Sequence, residues 1–421
     1  AVIIEGKFFT KERGMDRYER ARALCQEHGQ EQLLAYYGEL DEGERGQLLA
    51  QIESIDWSIF SDEARVSQPV GDISPIEGMD TREIEARKEE FFAAGREAVR
   101  QGKVAALLLA GGQGTRLGYN GPKGTMDIGV TRPLYIYECL FRNLEEVCRA
   151  CGAAVPLYIM TSEKTDEETR SFLKAHDYFG YPEGKIRFFL QDMAPATDFS
   201  GKILLEGKGR LALSPNGNGG CFSSLRRAGL MEEAARNGVE WFNVFAVDNV
   251  LQRIADPVFV GATLLSGADC GAKFVRKCEP GERVGVLCRR GGMPDIVEYY
   301  ELSEEMANAR DERGGLVYSF GVILNYLFRR ETLEKIARAA IPVHRAKKKI
   351  PFLNEAGELI KPEKENGYKY ETLVVDVVRL MGSCLPFEAV REREFAPIKN
   401  AEGKDSVQSA RELLKCNGVR L

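Results

Sequence analysis

The feature that most constrains this chain is one apolar run, Val104–Leu109, that empties into Gly111, Gly112 and Gly114. A short continuous apolar run stopped by glycine reads as a strand buried on both faces. Such a strand needs helices layered on either side, and the surrounding pattern supplies them. Strand-like segments at 156–160, 185–190 and 241–247 alternate with helix-like segments at 135–151, 163–176 and 223–237. That alternation predicts an α/β domain with a mainly parallel sheet. Further strand candidates fall at 272–275, 284–288, 296–302 and 316–324.

Upstream, residues 15–100 place apolar side chains such as Leu33, Leu34, Leu48, Leu49 and Ile52 at helical spacing, with a loop expected over 68–80. Downstream of Arg345 the pattern weakens. Lys347, Lys348 and Lys349 read as a solvated basic turn, 353–367 as an exposed loop, and 370–381 as a return to the core. The expected division is an N-terminal helical arm (1–100), a central domain (101–340) and a small C-terminal domain (341–421).

With 58 basic against 64 acidic residues the formal charge is -6, which argues against a general nucleic-acid binder. It leaves room for a small anion held by a few cations in one place. No apolar run approaches the roughly 20 residues that span a bilayer, and the first 20 residues carry charges throughout, unlike a secretory signal. The ten cysteines lack the dense spacing of a disulfide framework. Cys148 and Cys151 form a CxxC, but no second pair completes a zinc site, so a structural role is expected. A cytoplasmic location is the resulting expectation. Only His28, His176 and His344 are present, so chemistry built on histidine is disfavoured from the outset.

The segment LLLAGGQGTRLGYNGPKG (107–124) carries the chemistry. Glycines after a buried strand let the backbone turn sharply and aim N–H groups at an anion. Arg116 and Lys123 add two cations within a few residues, and Pro122 stiffens the approach to the lysine. An anionic nucleophile attacking a triphosphate needs shielding from like charge, and donors of this kind provide it without proton transfer. The Walker pattern does not fit, because Gly114 is followed by Thr115 and Arg116. The dinucleotide fingerprint does not fit either, because Gly118 comes one residue late.

LAGGQGTRLG followed by PKG resembles the nucleotide-binding loop of the sugar-nucleotide pyrophosphorylases. Within them the chain is similar to the eukaryotic-type UDP-N-acetylhexosamine (UDP-N-acetylglucosamine) pyrophosphorylases. The resemblance continues, in order, through LQDMAPATDFSGKI (190–203), PNGNGG (215–220), FAVDN (245–249), GADCGAK (267–273), VEYYEL (297–302) and FAPIKN (395–400). It implies a Rossmann-like nucleotidyltransferase domain that joins UTP to a sugar 1-phosphate with Mg²⁺. It also implies roles for individual residues. Gly111, Gly112, Gly114 and Lys123 would hold the triphosphate, with Arg116 stabilising charge during transfer. Gln191 would meet the uracil, supported by the loop at Gly217. Asn218, Gly285, Glu298 and Tyr299 would lie on the sugar side, Asp248 would bind Mg²⁺, and Lys399 would reach the sugar phosphate.

Each of several residues also has a plainer reading. Asp248 and Asn249 suit a cap or turn, Glu298 a solvated strand edge, Asn218 a turn, and Lys399 an ordinary surface lysine. The chain departs from the family's pattern on the sugar side. Tyr318, Ser319, Phe320, Gly321 and Val322 stand where the family usually has Phe-Asn-Ala-Gly-Asn, so Val322 offers no side-chain hydrogen bond. Leu373 and Val375 stand where aromatic residues are expected near the acetamido group. These departures leave open the same chemistry on glucose or galactose 1-phosphate. A nucleotide-sugar-binding sensor without activity is a further alternative, and the joint presence of Arg116, Lys123, Asp248 and Lys399 speaks against it.

Overall fold

The computed structural model describes residues 16–60, 71–336 and 341–421. Residues 1–15, which include most of the charged N-terminal stretch, and 68–70 of the expected loop lie outside the described residues. Two compact units share the described chain, and each draws on separated stretches. The larger comprises 71–192, 218–336, 341 and Val374–Leu421; the smaller comprises 16–60, Met193–Gly217 and Pro342–Leu373.

The larger unit is built on a 10-stranded mixed sheet. Its strands are β1 (Ile73–Ser74), β2 (Val104–Leu109), β3 (Leu157–Thr161), β4 (Ile186–Leu190), β5 (Trp241–Ala246), β6 (Cys270–Arg276), β7 (Val286–Arg290), β8 (Met293–Val297), β9 (Phe320–Arg329) and β10 (Cys384–Glu388). The block β5-β2-β3-β4 is parallel throughout. Antiparallel β9 extends it on the β5 side and also pairs with β6 and β7. In β2, Val104, Ala106 and Leu108 enter one apolar core while Ala105, Leu107 and Leu109 enter the other. The period of 2 along a strand therefore serves two helix-covered faces, which is why the run is apolar at every position.

One face is covered by helix Ile136–Cys151, whose Tyr137, Leu140, Phe141, Leu144 and Val147 form a single buried stripe. It ends where Gly152 adopts φ +73°. Cys151 is buried and Cys148 lies beside Tyr181, and all ten cysteines are free thiols. No helix among the described residues is long and apolar enough to cross a membrane.

Four expectations are corrected here. The helix expected over 223–237 is two, Cys221–Arg227 and Leu230–Arg236, because Gly229 at φ +71° interrupts it. The strand expected over 296–302 ends at Val297, and a turn closed by Glu301 N–H donating to Glu298 O follows. Lys347 and Lys348 belong to a strand, Val343–Lys348, paired with Gly367–Thr372. Within the expected loop 353–367, Phe352–Leu353 and Leu359–Ile360 pair as a small hairpin.

In the smaller unit, helices Arg17–Glu27 and Glu42–Ser54 pack on Ile203, Leu205 and Leu211. Asp41 starts the second helix with a reciprocal cap to Glu44. Val343–Lys348, Gly367–Thr372 and Thr197–Asp198 form its three-stranded sheet.

Candidate active site

Four parallel strands deliver their following residues to one edge of the sheet. Gly111 follows β2, Ser162 follows β3, Gln191 follows β4 and Asp248 follows β5. The carboxyl edge of such a block is where open α/β sheets bind ligands.

The glycine loop is closed by its own backbone. Gly114 N–H donates to Gly121 O at 3.0 Å and Lys123 N–H to Gly112 O at 3.1 Å. Gly112 and Arg116 remain exposed, while Gly114 is buried. Ser162 Oγ donates to Gly111 O at 2.9 Å and fixes the start of the turn. A Cβ at Gly111 would stand 2.8 Å from Gln191 Oε1, so a side chain there would collide with the buried glutamine. That contact brings together two residues 80 positions apart in the sequence.

The charged groups converge beside this loop. Lys399 Nζ lies 3.8 Å from Asp248 Oδ2. Burial pushes the Lys123 ammonium below the usual lysine range. Asp248 pulls it partly back, and the nearby charges of Lys399 and Arg116 push it down again. Three cations and one carboxylate thus face each other, as a site that receives polyanions requires.

Lys399 reaches this place through a pinned segment. Ile398 N–H donates to Asp248 O at 2.9 Å. Asn249 is buried and clamps the same stretch, with Nδ2 donating to Glu394 O at 2.7 Å and Ala396 N–H donating to Oδ1 at 2.9 Å. Asp248 and Asn249 therefore divide the work: one carries charge to the sheet edge and the other holds the lysine-bearing segment. Beneath it, fully buried Lys273 pairs with Asp256 at 2.9 Å and Glu394 at 2.6 Å.

The residues expected on the sugar side form a second group. Val322 N–H donates to Gly285 O at 2.9 Å. A Cβ at Gly285 would lie 2.9 Å from Ile296 Cγ2, 3.4 Å from Val322 Cγ2 and 3.8 Å from Glu298 Oε1, so a side chain here would force Ile296 to shift. Glu298 sits in the turn after β8, and exposed Tyr299 next to it packs edge-on against Tyr300. Asn218 caps a different element. Its Oδ1 accepts from Val374 N–H at 2.9 Å at the start of helix Val374–Leu380. Val375 and Val322 pack against the same core. Gly217 and Leu373 belong to the smaller unit, where Gly217 at φ +85° abuts Thr372 O.

The sequence reading missed Ser162, Glu394 and the clamping role of Asn249. Ser162 stood one residue beyond a strand already expected, and Asn249 lay inside a motif already singled out. Glu394 carried no local signal, since its partners lie 121 and 145 positions away.

No group of three or more His, Cys, Asp or Glu side chains that could hold a metal occurs among the described residues. Asp248 instead offers one carboxylate among three cations. That donor set fits a hard cation such as Mg²⁺, which keeps waters and takes further ligands from substrate phosphates.

Comparison with known proteins gives the family and the fold. The chain is 39% identical over 420 residues to human UDP-N-acetylhexosamine pyrophosphorylase-like protein 1, covering 93% of this chain and 83% of that protein. It is 35% identical to Arabidopsis thaliana UDP-N-acetylglucosamine diphosphorylase 2, covering 92% and 81%. Its structure is similar to the inhibitor complex of uridine diphosphate N-acetylglucosamine pyrophosphorylase from Trypanosoma brucei, with TM-score 0.79 and 25% identity over 95% of this chain and 85% of that one. With residues 63–416 matching its family model, the chain belongs to the UTP–glucose-1-phosphate uridylyltransferase family.

Proposed function

We propose that this chain is a uridylyltransferase that makes UDP-N-acetylhexosamine, UDP-N-acetylglucosamine foremost, and pyrophosphate from UTP and the sugar 1-phosphate. The observation that carries the reading is the meeting of Lys123, Arg116, Lys399 and Asp248 beside the glycine loop. Family membership supports the transfer of uridylyl groups to a sugar phosphate.

In this reading, a sugar phosphate oxygen attacks the α-phosphorus of UTP in line. The new O–P bond forms as the bond to the β-phosphate's bridging oxygen breaks, and pyrophosphate leaves with the electron pair. The nucleophile is already ionised, so no general base is needed, which suits a chain with three histidines. Backbone N–H groups at Gly111 and Gly112 receive the triphosphate, Gly114 shapes the loop through its bond to Gly121 O, and Lys123 and Arg116 offset the charge. Lys399 holds the incoming sugar phosphate, and Gln191 meets the uracil. Asp248 would hold Mg²⁺, which neutralises phosphate charge during transfer. Gly285, Glu298, Tyr299 and Asn218 serve the sugar, and Gly217 keeps the role that the resemblance assigns it.

A second reading, the same transfer to glucose or galactose 1-phosphate, is favoured by one observation. Val322, not a hydrogen-bonding residue, stands against Gly285 beside Glu298. The deciding experiment offers a panel of sugar 1-phosphates with UTP and Mg²⁺ and measures pyrophosphate release. Turnover of N-acetylhexosamine 1-phosphates ahead of the plain hexoses supports the first reading, and the reverse order supports the second. No release with any sugar rejects both.

A further inference from the structure

Glu282 is almost fully buried and takes no part in the chemistry above, yet three donors converge on it. Cys278 N–H donates to Oε2 at 2.9 Å, which ties the carboxylate to its own loop. Arg391 Nη2 donates to Oε2 at 3.0 Å, and Lys404 Nζ to Oε1 at 3.0 Å. Burial alone would raise the carboxyl's pKa, but the Cys278 N–H and the two cations outweigh it and hold Glu282 ionised.

The two cations bracket Lys399. Arg391 begins the short helix Arg391–Glu394 that leads into the lysine-bearing segment. Lys404 lies in the tight turn that follows, where Lys399 N–H donates to Asp405 O at 2.6 Å and Asn400 Nδ2 to Lys404 O at 2.7 Å. The loop of Glu282 runs on to Gly285, whose carbonyl accepts from Val322 N–H. One carboxylate therefore joins the backbone at the expected sugar position to both flanks of the lysine.

We infer that Glu282 is a positioning residue that couples the Gly285 loop to Lys399 through Lys404 and Arg391. Its catalytic consequence rests on the uridylyltransferase reading; the coupling itself does not. Binding of a sugar phosphate against the Gly285 loop then also sets the placement of the lysine that meets its phosphate. Displacing such a group by about 1 Å can cost up to about 100-fold in rate, so a loosened lysine is detectable.

Lys404→Ala cuts the link from its exposed end while the Cys278 N–H and Arg391 stay on the buried carboxylate, and Glu282→Gln cuts it from the inside. Site-resolved hydrogen exchange of the full chain is the first readout. In Lys404→Ala the amides of Lys399 and Asn400, both bonded to Asp405 O, should exchange at least about threefold faster at an unchanged melting temperature. In Glu282→Gln the amides of Cys278 and Val322 should quicken as well. The second readout is turnover. Lys404→Ala should lower kcat about tenfold while KM for UTP stays within twofold, and Lys404→Arg should restore most of the loss. Unchanged exchange at Lys399 and Asn400 in Lys404→Ala overturns the coupling, even if Glu282→Gln fails to fold. If the wild-type chain turns over no sugar phosphate, the functional reading fails while exchange still decides the coupling.

Discussion

Lys399 Nζ stands 3.8 Å from Asp248 Oδ2, across a backbone hydrogen bond from Ile398 N–H to the carbonyl of Asp248 itself. The lysine and the carboxylate are therefore positioned by one another's segments, 151 residues apart in sequence. At 3.8 Å the pair is loose, and the lysine side chain remains half exposed. A surface pair of this kind contributes little to stability. Its geometry suits a site in which Lys399 turns to a phosphate and Asp248 to a cation when substrate arrives.

Asp248→Asn should separate these roles. The amide keeps the size of the side chain and the backbone contact to Ile398 but lacks the charge a hard cation requires. The Mg²⁺ concentration for half-maximal rate is expected to rise by about tenfold or more, with an unchanged melting temperature. Titrating Mg²⁺ against initial rate in both proteins checks this. An unaltered Mg²⁺ dependence would make Asp248 a structural residue.

Lys123 carries a pH prediction whose sign follows from its environment. Its pKa lies below the ordinary lysine range because of burial, with Lys399 and Arg116 adding to the shift. In the proposed reaction the charged form meets phosphate, so kcat/KM should fall as pH rises through this lowered pKa. Stability runs the other way. Between the lowered folded pKa and the ordinary value of about 10.4, the unfolded chain binds more protons, so folding gains as pH rises. Lys123→Arg should move the alkaline limb of kcat/KM upward, since guanidinium stays charged. Lys123→Ala and Arg116→Ala should each cost about 10² to 10³ in rate with the fold intact. A limb left in place by Lys123→Arg would assign it to another group.

Asn249→Ala removes the clamp on the Lys399 segment. Glu394 O and Ala396 N–H would lose their partner in a buried setting, at about 1–3 kcal/mol for each unsatisfied group. Denaturant unfolding should show a loss of at least about 2 kcal/mol, accompanied by a fall in kcat. Asn249→Asp keeps the acceptor for Ala396 N–H but sets a carboxylate against Glu394 O, and should fare no better. Wild-type stability in both variants would remove the clamp from the account.

What the sequence revealed follows a physical divide. β2 was legible because burial on both faces makes every position apolar, and the parallel strands beside it because they are mostly apolar. The glycine loop was legible because a buried strand empties into Gly111, Gly112 and Gly114 and two cations follow within a few residues; the fit of Gly111 to Gln191 was not. Glu298 was misplaced because the apolar run around it does not reveal where pairing stops; the break comes from the Glu301 N–H bond to its carbonyl. The helix expected over 223–237 failed at Gly229, a single residue whose positive φ the periodicity could not express. The buried pairs of Lys273 with Asp256 and Glu394, and the pairing of buried Glu282 with exposed Lys404, were illegible altogether. A charged residue looks exposed in sequence until the fold supplies its distant partner.

The last prediction concerns Val322. Its methyl Cγ2 would stand 3.4 Å from a Cβ at Gly285, and Glu298 Oε1 3.8 Å from the same point, so Val322 borders the group expected to face the sugar. Valine offers volume there but neither donor nor acceptor. An apolar wall separates substrates that differ by a small group by only about 1–3 kcal/mol, whereas matched buried hydrogen bonds separate them by about 10⁴ or more in rate. The wild-type chain should accept N-acetylglucosamine 1-phosphate and discriminate against glucose 1-phosphate only modestly. Val322→Asn supplies a donor and an acceptor at nearly the same volume, and should sharpen the preference for the acetylated sugar. The measurement is the ratio of kcat/KM for the two sugar phosphates in wild type and variant. A wild-type ratio above about 10⁴ would contradict the idea, because a valine wall cannot deliver that discrimination. A variant ratio equal to that of wild type would place the determinant away from Val322.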